Sequence, residues 1–297
     1  MIDHADIDHG LDRLHDALAA ARPAIAAEAQ ALRGEGRVAD YIPALARAPR
    51  DAFGLAIAFA DGRELTLGDA EAPFSIQSVS KVFSLAFALD AVGEALWERV
   101  GREPSGMAFN SLVLLEMENG APRNPLINAG AIVTMDALLD VDAAWAGLHL
   151  AQMRRLAEDE SVHVDAEVHA SERAHGDLNR AIAWFLKAKG NLRTHPDTAT
   201  DAYFSACATA MSCRQLASAG RFLIGPEIGP HLCRAPERRR RIRAVMRTCG
   251  LYDAAGDFAY RVGLPAKSGV GGGVLAIAPG RCAIAAWAPP LDAKGNS

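Results

Sequence analysis

Apolar positions along the chain follow two different periods. From residue 8 to 33, alanines, leucines and isoleucines recur at helical spacing and predict two amphipathic helices, with Pro23 opening the second and Gly34 ending it. Asp40-Tyr41-Ile42-Pro43 then breaks the pattern. The run GLAIAFADGRELTLG, from Gly54 to Gly68, reads as a hairpin in which strand-like stretches flank Asp61-Gly62, a favoured two-residue turn. The long middle, about 76 to 249, is dominated by 3.6-period stretches such as KVFSLAFALDAVGEAL and AIAWFLKAKG, cut by Gly, Pro and Asn loops. After Gly250, strand signals return in FAYRVGLPAKSG, GGVLAIAPG and RCAIAAWAPP.

Strands at both ends with helices between predict an α/β protein of the α+β type. One antiparallel sheet is built from both termini, about 35–75 and 250–297, and carries a helical subdomain at about 76–249. No internal repeat or Pro/Ser linker interrupts the chain, so residues 1–297 are expected to form one unit. The basic run RAPERRRRIRAVMR, 234–247, reads as a solvated helix face. Ile242, Val245 and Met246 share its apolar side, and Glu237 is placed to pair with Arg241.

Composition narrows the function. The chain is 50% apolar and carries a net charge of −5, which gives no concentrated positive field for a nucleic acid. The N-terminal MIDHADIDHGLDRLHDAL has acids and histidines where a secretory leader needs a basic start and an apolar run. No stretch approaches the ~18 uncharged apolar residues of a membrane span. A cytoplasmic, non-membrane protein is expected. The five cysteines (Cys207, Cys213, Cys233, Cys249, Cys282) are widely spaced and never in C-x-x-C, which favours small buried residues over disulfides or zinc ligands. His4 with His9, and His163 with His169, lack the spacing of a helical metal pair, so no metal is expected.

Lysine usage is the informative oddity. Five lysines (Lys81, Lys187, Lys189, Lys267, Lys294) stand against twenty-six arginines. Arg cannot lose its proton near neutral pH, whereas a buried Lys can, so each retained Lys is a candidate chemical group. Ser78-Val79-Ser80-Lys81 opens an apolar helix. If the helix begins near Ser78, the hydroxyl and the amine lie about 60° apart around the axis and ~4.5 Å along it, on one face. A neutral Lys can take the proton that makes a serine nucleophilic, and a helix N-terminus favours a developing anion. Chance expects about 0.2 S-x-x-K motifs in this composition, so alone it is only suggestive. Lys267-Ser268-Gly269, at the end of a predicted strand, adds the K-[ST]-G motif that accompanies S-x-x-K in β-lactamases and penicillin-binding proteins, with a chance expectation of about 0.03.

With both motifs in view, the chain resembles the serine-dependent glutaminase family. The resemblance is carried by Asp40-Tyr41-Ile42-Pro43, Gln77-Ser78-Val79-Ser80-Lys81, Glu103-Pro104-Ser105-Gly106 and Asn124-Pro125-Leu126-Ile127-Asn128-Ala129-Gly130. It continues through Ser171-Glu172, Gly176-Asp177, Asn179, Ala202-Tyr203-Phe204 and Cys249-Gly250-Leu251-Tyr252-Asp253. Gly263 to Val270 and the closing Pro290 to Ser297 complete it, in order from about residue 40 onward. The resemblance implies a β-lactamase/transpeptidase-like fold and hydrolysis of L-glutamine to L-glutamate and ammonia without cofactor or metal, in a homo-oligomer, dimer or tetramer. It implies Ser78 as nucleophile, Lys81 as base and Tyr252 as proton shuttle, with the N–H groups of Ser78 and Val270 holding the oxyanion. Asn128, Glu172, Asn179 and Tyr203 would hold substrate, Tyr41 would lie at the edge, and Lys267, Ser268 and Gly269 would support the site. A charged Lys267 is expected to keep Lys81 neutral by repulsion.

Taken singly, these residues have plainer readings. Asn128 and Asn179 could cap helices, Tyr203 and Tyr252 could be packing residues, and Glu172 could be a surface acid. The sequence also departs from the family pattern. Leu178 stands where an Arg is expected, Ala219 to Cys233 lacks an Asn-Gly-Gly turn, and Ala288 replaces a Ser. Two rival readings stay open: a β-lactamase, transpeptidase or esterase using the same Ser/Lys pair, and a non-catalytic amino-acid-binding or sensor domain.

Overall fold

A computed structural model of the chain describes residues 4–106, 110–225, 228–229, 232–233 and 235–297, the side chains of residues 4–9 excepted. Helix α1 (His4–Ala31) precedes the hairpin of β1 (Gly54–Phe59) and β2 (Glu64–Gly68). A short β3 (Phe74–Ser75) leads through a 3-10 turn, Gln77–Val79, into α2 (Ser80–Ala91). The helical interior comprises α3 (Leu112–Met117), α4 (Asn128–Val141), α5 (Trp145–Ala157), α6 (Ala166–His175), α7 (Asp177–Ala188) and α8 (Pro196–Cys207), with β4 (His163–Val164) before α6. Then follow β5 (Thr209–Met211), α9 (Cys213–Gly220), α10 (Pro236–Cys249) and α11 (Ala255–Arg261). The chain ends in β6 (Ala266–Ser268), β7 (Gly273–Ala278) and β8 (Cys282–Trp287).

The main sheet is antiparallel with strand order β2-β1-β8-β7-β6, so β8 pairs directly with β1 and joins the two ends of the chain. Side chains alternate across it. Leu55, Ile57 and Phe59 face α1, where Leu14, Leu18 and Ile25 cover them. Ala56, Ala58, Ala283 and Ala285 face the helical layer. These small residues let α9 approach closely: a Cβ on Gly220 would fall 2.9 Å from Leu275 Cδ1. Helix α2 is buried on every face from Ser80 to Leu89, as its almost unbroken apolar run requires, and it packs against α4, α8 and α10. Burying the helix that carries Lys81 removes that amine from water. A second sheet, β3-β5-β4, ties the start of the Ser78 turn to the segment after α8.

The structure corrects four local expectations. In place of two helices over 8–33 there is one 28-residue helix, His4–Ala31, with Pro23 inside it. Proline fixes a helix-compatible φ at the cost of one hydrogen bond, and packing on the sheet with Ala-rich flanks keeps the helix continuous. Phe258 to Arg261 belongs to α11, so only Ala266–Ser268 of the predicted FAYRVGLPAKSG strand is extended. The hairpin loop is the three residues Ala60-Asp61-Gly62, closed by Phe59 N–H to Arg63 O at 2.9 Å, with Gly62 at φ +92°. Arg241 pairs with Glu94 rather than Glu237, and Arg238 pairs with Asp90 at 2.9 Å, so the basic helix docks on the end of α2 and the turn after it. Ile242, Val245 and Met246 do face inward. Among the described residues, no helix is long and apolar enough to cross a membrane.

Candidate active site

Ser78 sits within the 3-10 turn, and the α-helix begins only at Ser80. The preceding Gln77 is held at φ +49°, a conformation costly for a residue with a Cβ. It is retained because both ends are fastened. Ile76 N–H donates to Thr209 O at 2.9 Å. Gln77 Nε2 donates to Ser75 Oγ at 2.9 Å, and Ser75 Oγ donates to Cys207 O at 2.9 Å. Gln77 also hydrogen-bonds to Glu172. The strained turn therefore aims Ser78 and grips the buried acid.

The segment after β6 presses on this turn. A Cβ on Gly269 would fall 2.4 Å from Ile76 O and 3.2 Å from Ser78 N, and one on Gly271 would fall 2.2 Å from Ser75 O. Only glycine permits such an approach. It brings Val270, between the two glycines, beside Ser78.

Lys81 is 1% exposed. Its Nζ donates to Asn128 Oδ1 at 2.6 Å and to Leu126 O at 3.4 Å, and Asn128 Nδ2 donates in turn to Asn179 Oδ1 at 2.9 Å. Neither asparagine side chain caps its helix: Asn128 begins α4 and Asn179 lies inside α7, and both amides serve this chain of bonds. Burial lowers the amine from 10.5 to about 8, with Cys207 and Glu172 pulling the other way.

Tyr252 follows α10, at φ +51°, and its side chain hydrogen-bonds to Ser78 and Ser268. Burial pushes its phenol up to about 12. Lys267 Nζ lies 4.3 Å from the Tyr252 ring centre and donates to Gly250 O at 3.0 Å and Ser268 O at 2.5 Å. Burial acts on both lysines. Lys267 is itself driven well below the usual lysine value, by burial first and by the charge of Lys81 second, whereas Lys81 is lowered by burial. The two buried amines compete for charge.

Glu172, on α6, is 5% exposed, not a surface acid. Burial raises its carboxyl to about 7 against the opposing pull of Gln77 and Lys81. Tyr203, on α8, is also buried; its ring centre lies 5.7 Å from Lys81 Nζ and its hydroxyl bonds to Cys207. Tyr41 is 55% exposed as a whole residue, yet its phenol is raised by burial beside Tyr252 and Glu172, so its tip points inward from the rim.

Tyr41, Ser78, Asn128, Glu172, Asn179, Tyr203 and Val270 all line one cavity of about 130 Å³. Lys81 lies beneath its wall, while Tyr252 lines a neighbouring cavity with Asn124 and Thr248. Gln77, Asn110, His175 and Leu178 also line the site, although only Leu178 and the Gln77 motif drew attention in the sequence. At the mouth, Arg180 spans the junction of α6 and α7. Its guanidinium donates to Asp177 at 3.2 Å and to Arg173 O, bracing the loop between Glu172 and Asn179. The divergent 219–233 stretch lies partly outside the described residues. All five cysteines are buried and unpaired with one another. His163 bonds to Ser161 O and His169 faces Asp201, while the side chains of His4 and His9 lie outside the described residues.

An antiparallel sheet joining both chain ends, with a helical layer presenting Ser and Lys at the seam, is the architecture of the β-lactamase-like fold. Comparison with known proteins makes the assignment specific. The family model described as Glutaminase matches residues 36–297, and the chain belongs to the glutaminase family. It is 54% identical to the glutaminase of Methylobacterium nodulans over 279 residues, covering 92% of this chain and 90% of that one. It is 51% identical to the glutaminase of Rhizobium rhizogenes over 298 residues, covering 99% and 93%. Among solved structures, the probable glutaminase ybaS superposes with a TM-score of 0.84 at 37% identity, covering 100% of this chain and 93% of that one. A Bacillus glutaminase superposes with a TM-score of 0.76 at 31% identity, covering 86% and 90%.

Proposed function

We propose that this chain hydrolyses L-glutamine to L-glutamate and ammonia through a γ-glutamyl ester on Ser78. The observation that carries the reading is the convergence on Ser78. Tyr252 bonds to it, a buried lysine lies three residues on, and a buried acid lines the same small cavity. Free glutamine offers an ammonium, a carboxylate and an amide. Glu172 supplies the buried acid for the first, and Asn128, Asn179 and the tyrosines supply neutral hydrogen bonds for the rest.

Protonation states support the roles. With Lys81 at about 8 and Tyr252 at about 12, Lys81 is the one able to be unprotonated near neutral pH, and Tyr252 is a proton donor. Ser78 Oγ attacks the side-chain carbonyl carbon while Lys81 takes the hydroxyl proton. The N–H groups of Ser78 and Val270 receive the oxyanion, a contribution of roughly 3–4 kcal/mol to the barrier. Collapse breaks the C–N bond, and the nitrogen leaves as ammonia with the proton that Lys81 took from Ser78, relayed through Tyr252, which leaves Lys81 neutral again. Water, deprotonated by Lys81, then cleaves the ester to release glutamate and restore Ser78.

Purified protein given L-glutamine, L-asparagine and a chromogenic β-lactam separates this reading from its rivals. Ammonia from glutamine supports it. Ring opening without ammonia points to a β-lactamase or esterase, and tight glutamine binding without turnover points to a sensor domain.

A further inference from the structure

Tyr252 combines two features that need outside support: a left-handed backbone at φ +51° and a side chain bonded to Ser78. The support comes from residues 292–296. Asn296, 8% exposed, accepts a hydrogen bond from Ser268 Oγ at 2.6 Å and donates through Nδ2 to Leu251 O at 3.4 Å. A carbonyl only accepts, so the amide orientation is fixed. One side chain thus bridges the strand that carries Lys267-Ser268 and the residue just ahead of Tyr252.

Neighbouring residues close on the same turn. Lys294 Nζ reaches Asp253 O at 3.5 Å. Gly295, at φ +83°, runs alongside the Tyr252 ring, since a Cβ placed there would lie 3.9 Å from Cδ2 and Cε2. The segment is itself locked: Asp292 N–H donates to Asn296 O at 2.7 Å, and Asp292 Oδ1 accepts from Lys294 N–H at 2.8 Å and Asn296 N–H at 2.9 Å. Leu291 anchors it in the cluster that holds Val270 and Ile42.

We propose that Asn296 is a positioning residue for the reaction, holding the Tyr252 turn against Ser268 so that the Tyr252 hydroxyl meets Ser78. The proposal rests on the Ser78 reading above. This role differs from general packing, because the contacts of residues 294–296 fall on the two residues flanking Tyr252 and on the hydroxyl of Ser268, whose carbonyl accepts from Tyr252 itself.

The test is a double-mutant cycle of Asn296→Ala and Tyr252→Phe with L-glutamine as substrate, reading kcat and KM apart, with thermal unfolding of each variant. Asn296→Ala is expected to lower kcat on the order of tenfold or more, with KM within about twofold. In the Tyr252→Phe background, where no hydroxyl remains to be placed, the further loss is expected to stay below about twofold. Equal fold losses in both backgrounds, or a loss confined to KM, would overturn the proposal. Should Asn296→Ala fail to fold, Ser268→Ala severs the same bridge from its other end and is read in the same cycle. Failure of the underlying reading looks different: ammonia release would then persist in Ser78→Ala, whatever the cycle shows.

Discussion

Lys81 Nζ and Asn128 Oδ1 stand 2.6 Å apart, both side chains buried. An amide oxygen accepts from the amine in either protonation state, so this bond orients Lys81 without fixing its charge. Replacing the amide by a carboxylate changes that balance. In Asn128→Asp the anion favours the ammonium and raises the Lys81 pKa above about 8. The rising limb of the kcat profile is expected to move upward by at least about one pH unit, with little activity at pH 7. A profile unmoved from wild type would contradict the assignment of Lys81 as base.

Glu172 makes stability depend on pH. Its folded pKa, about 7, lies above its ordinary value of 4.5, so its favourable contribution is present at low pH and is lost as pH rises through 7. Above that pH the buried carboxylate destabilises the unliganded protein. Glu172→Gln is expected to unfold at a higher temperature than wild type at pH 8, by roughly 1–3 kcal/mol of stability, and to gain nothing at pH 4. The same variant should lose glutamine turnover. Differential scanning calorimetry at the two pH values, beside an ammonia assay, checks both halves.

His149 is a second titrating group, outside the lining of the substrate cavity. It is 4% exposed, hydrogen-bonded to Ser84 Oγ at 3.0 Å, and edge-on to Phe87. Burial lowers it from 6.5 to about 4, so its contribution is intact above 6.5 and is lost as pH falls through 4. His149→Gln should flatten the stability loss between pH 6.5 and 4, by up to about 3 kcal/mol. Chemical denaturation across that range is the measurement, and an unchanged acid slope would contradict the neutral assignment.

The legible parts of this protein are those whose sequence signal is long or chemically unusual. The sheet joining both chain ends was readable because β1, β7 and β8 carry apolar runs bounded by turn residues. The Ser78 and Lys267 motifs stood out because lysine is scarce. The second sheet was not readable, since strands as short as Phe74–Ser75 have no period to detect. The turn that carries Ser78 departs from a helix because β5 and the Gly269–Gly271 segment crowd it, contacts distant in the sequence. The role of Gln77 within its motif was not readable for a related reason: its value lies in a left-handed backbone and a bond to Glu172, neither of which its residue type announces. Asn296 belongs to the same kind. Its partners, Ser268 and Leu251, lie far back in the chain.

Gly269 gives a test of the oxyanion geometry by sterics alone. A methyl group there would sit 2.4 Å from Ile76 O, so Gly269→Ala must push the β6 end away from the Ser78 turn. Turnover is expected to fall on the order of a hundredfold, with a smaller change in KM, because displaced donors miss the oxyanion more than the ground-state carbonyl. Steady-state kinetics on glutamine checks this, and an active variant would show that Val270 can move without consequence.

The most direct test is to quench a reaction of wild-type protein with glutamine in acid and measure the intact and peptide masses, beside Ser78→Ala treated identically. A glutamyl ester on the peptide bearing Ser78 is expected in wild type, with neither adduct nor ammonia from the variant. Ammonia released by Ser78→Ala at a rate near that of wild type would contradict the account.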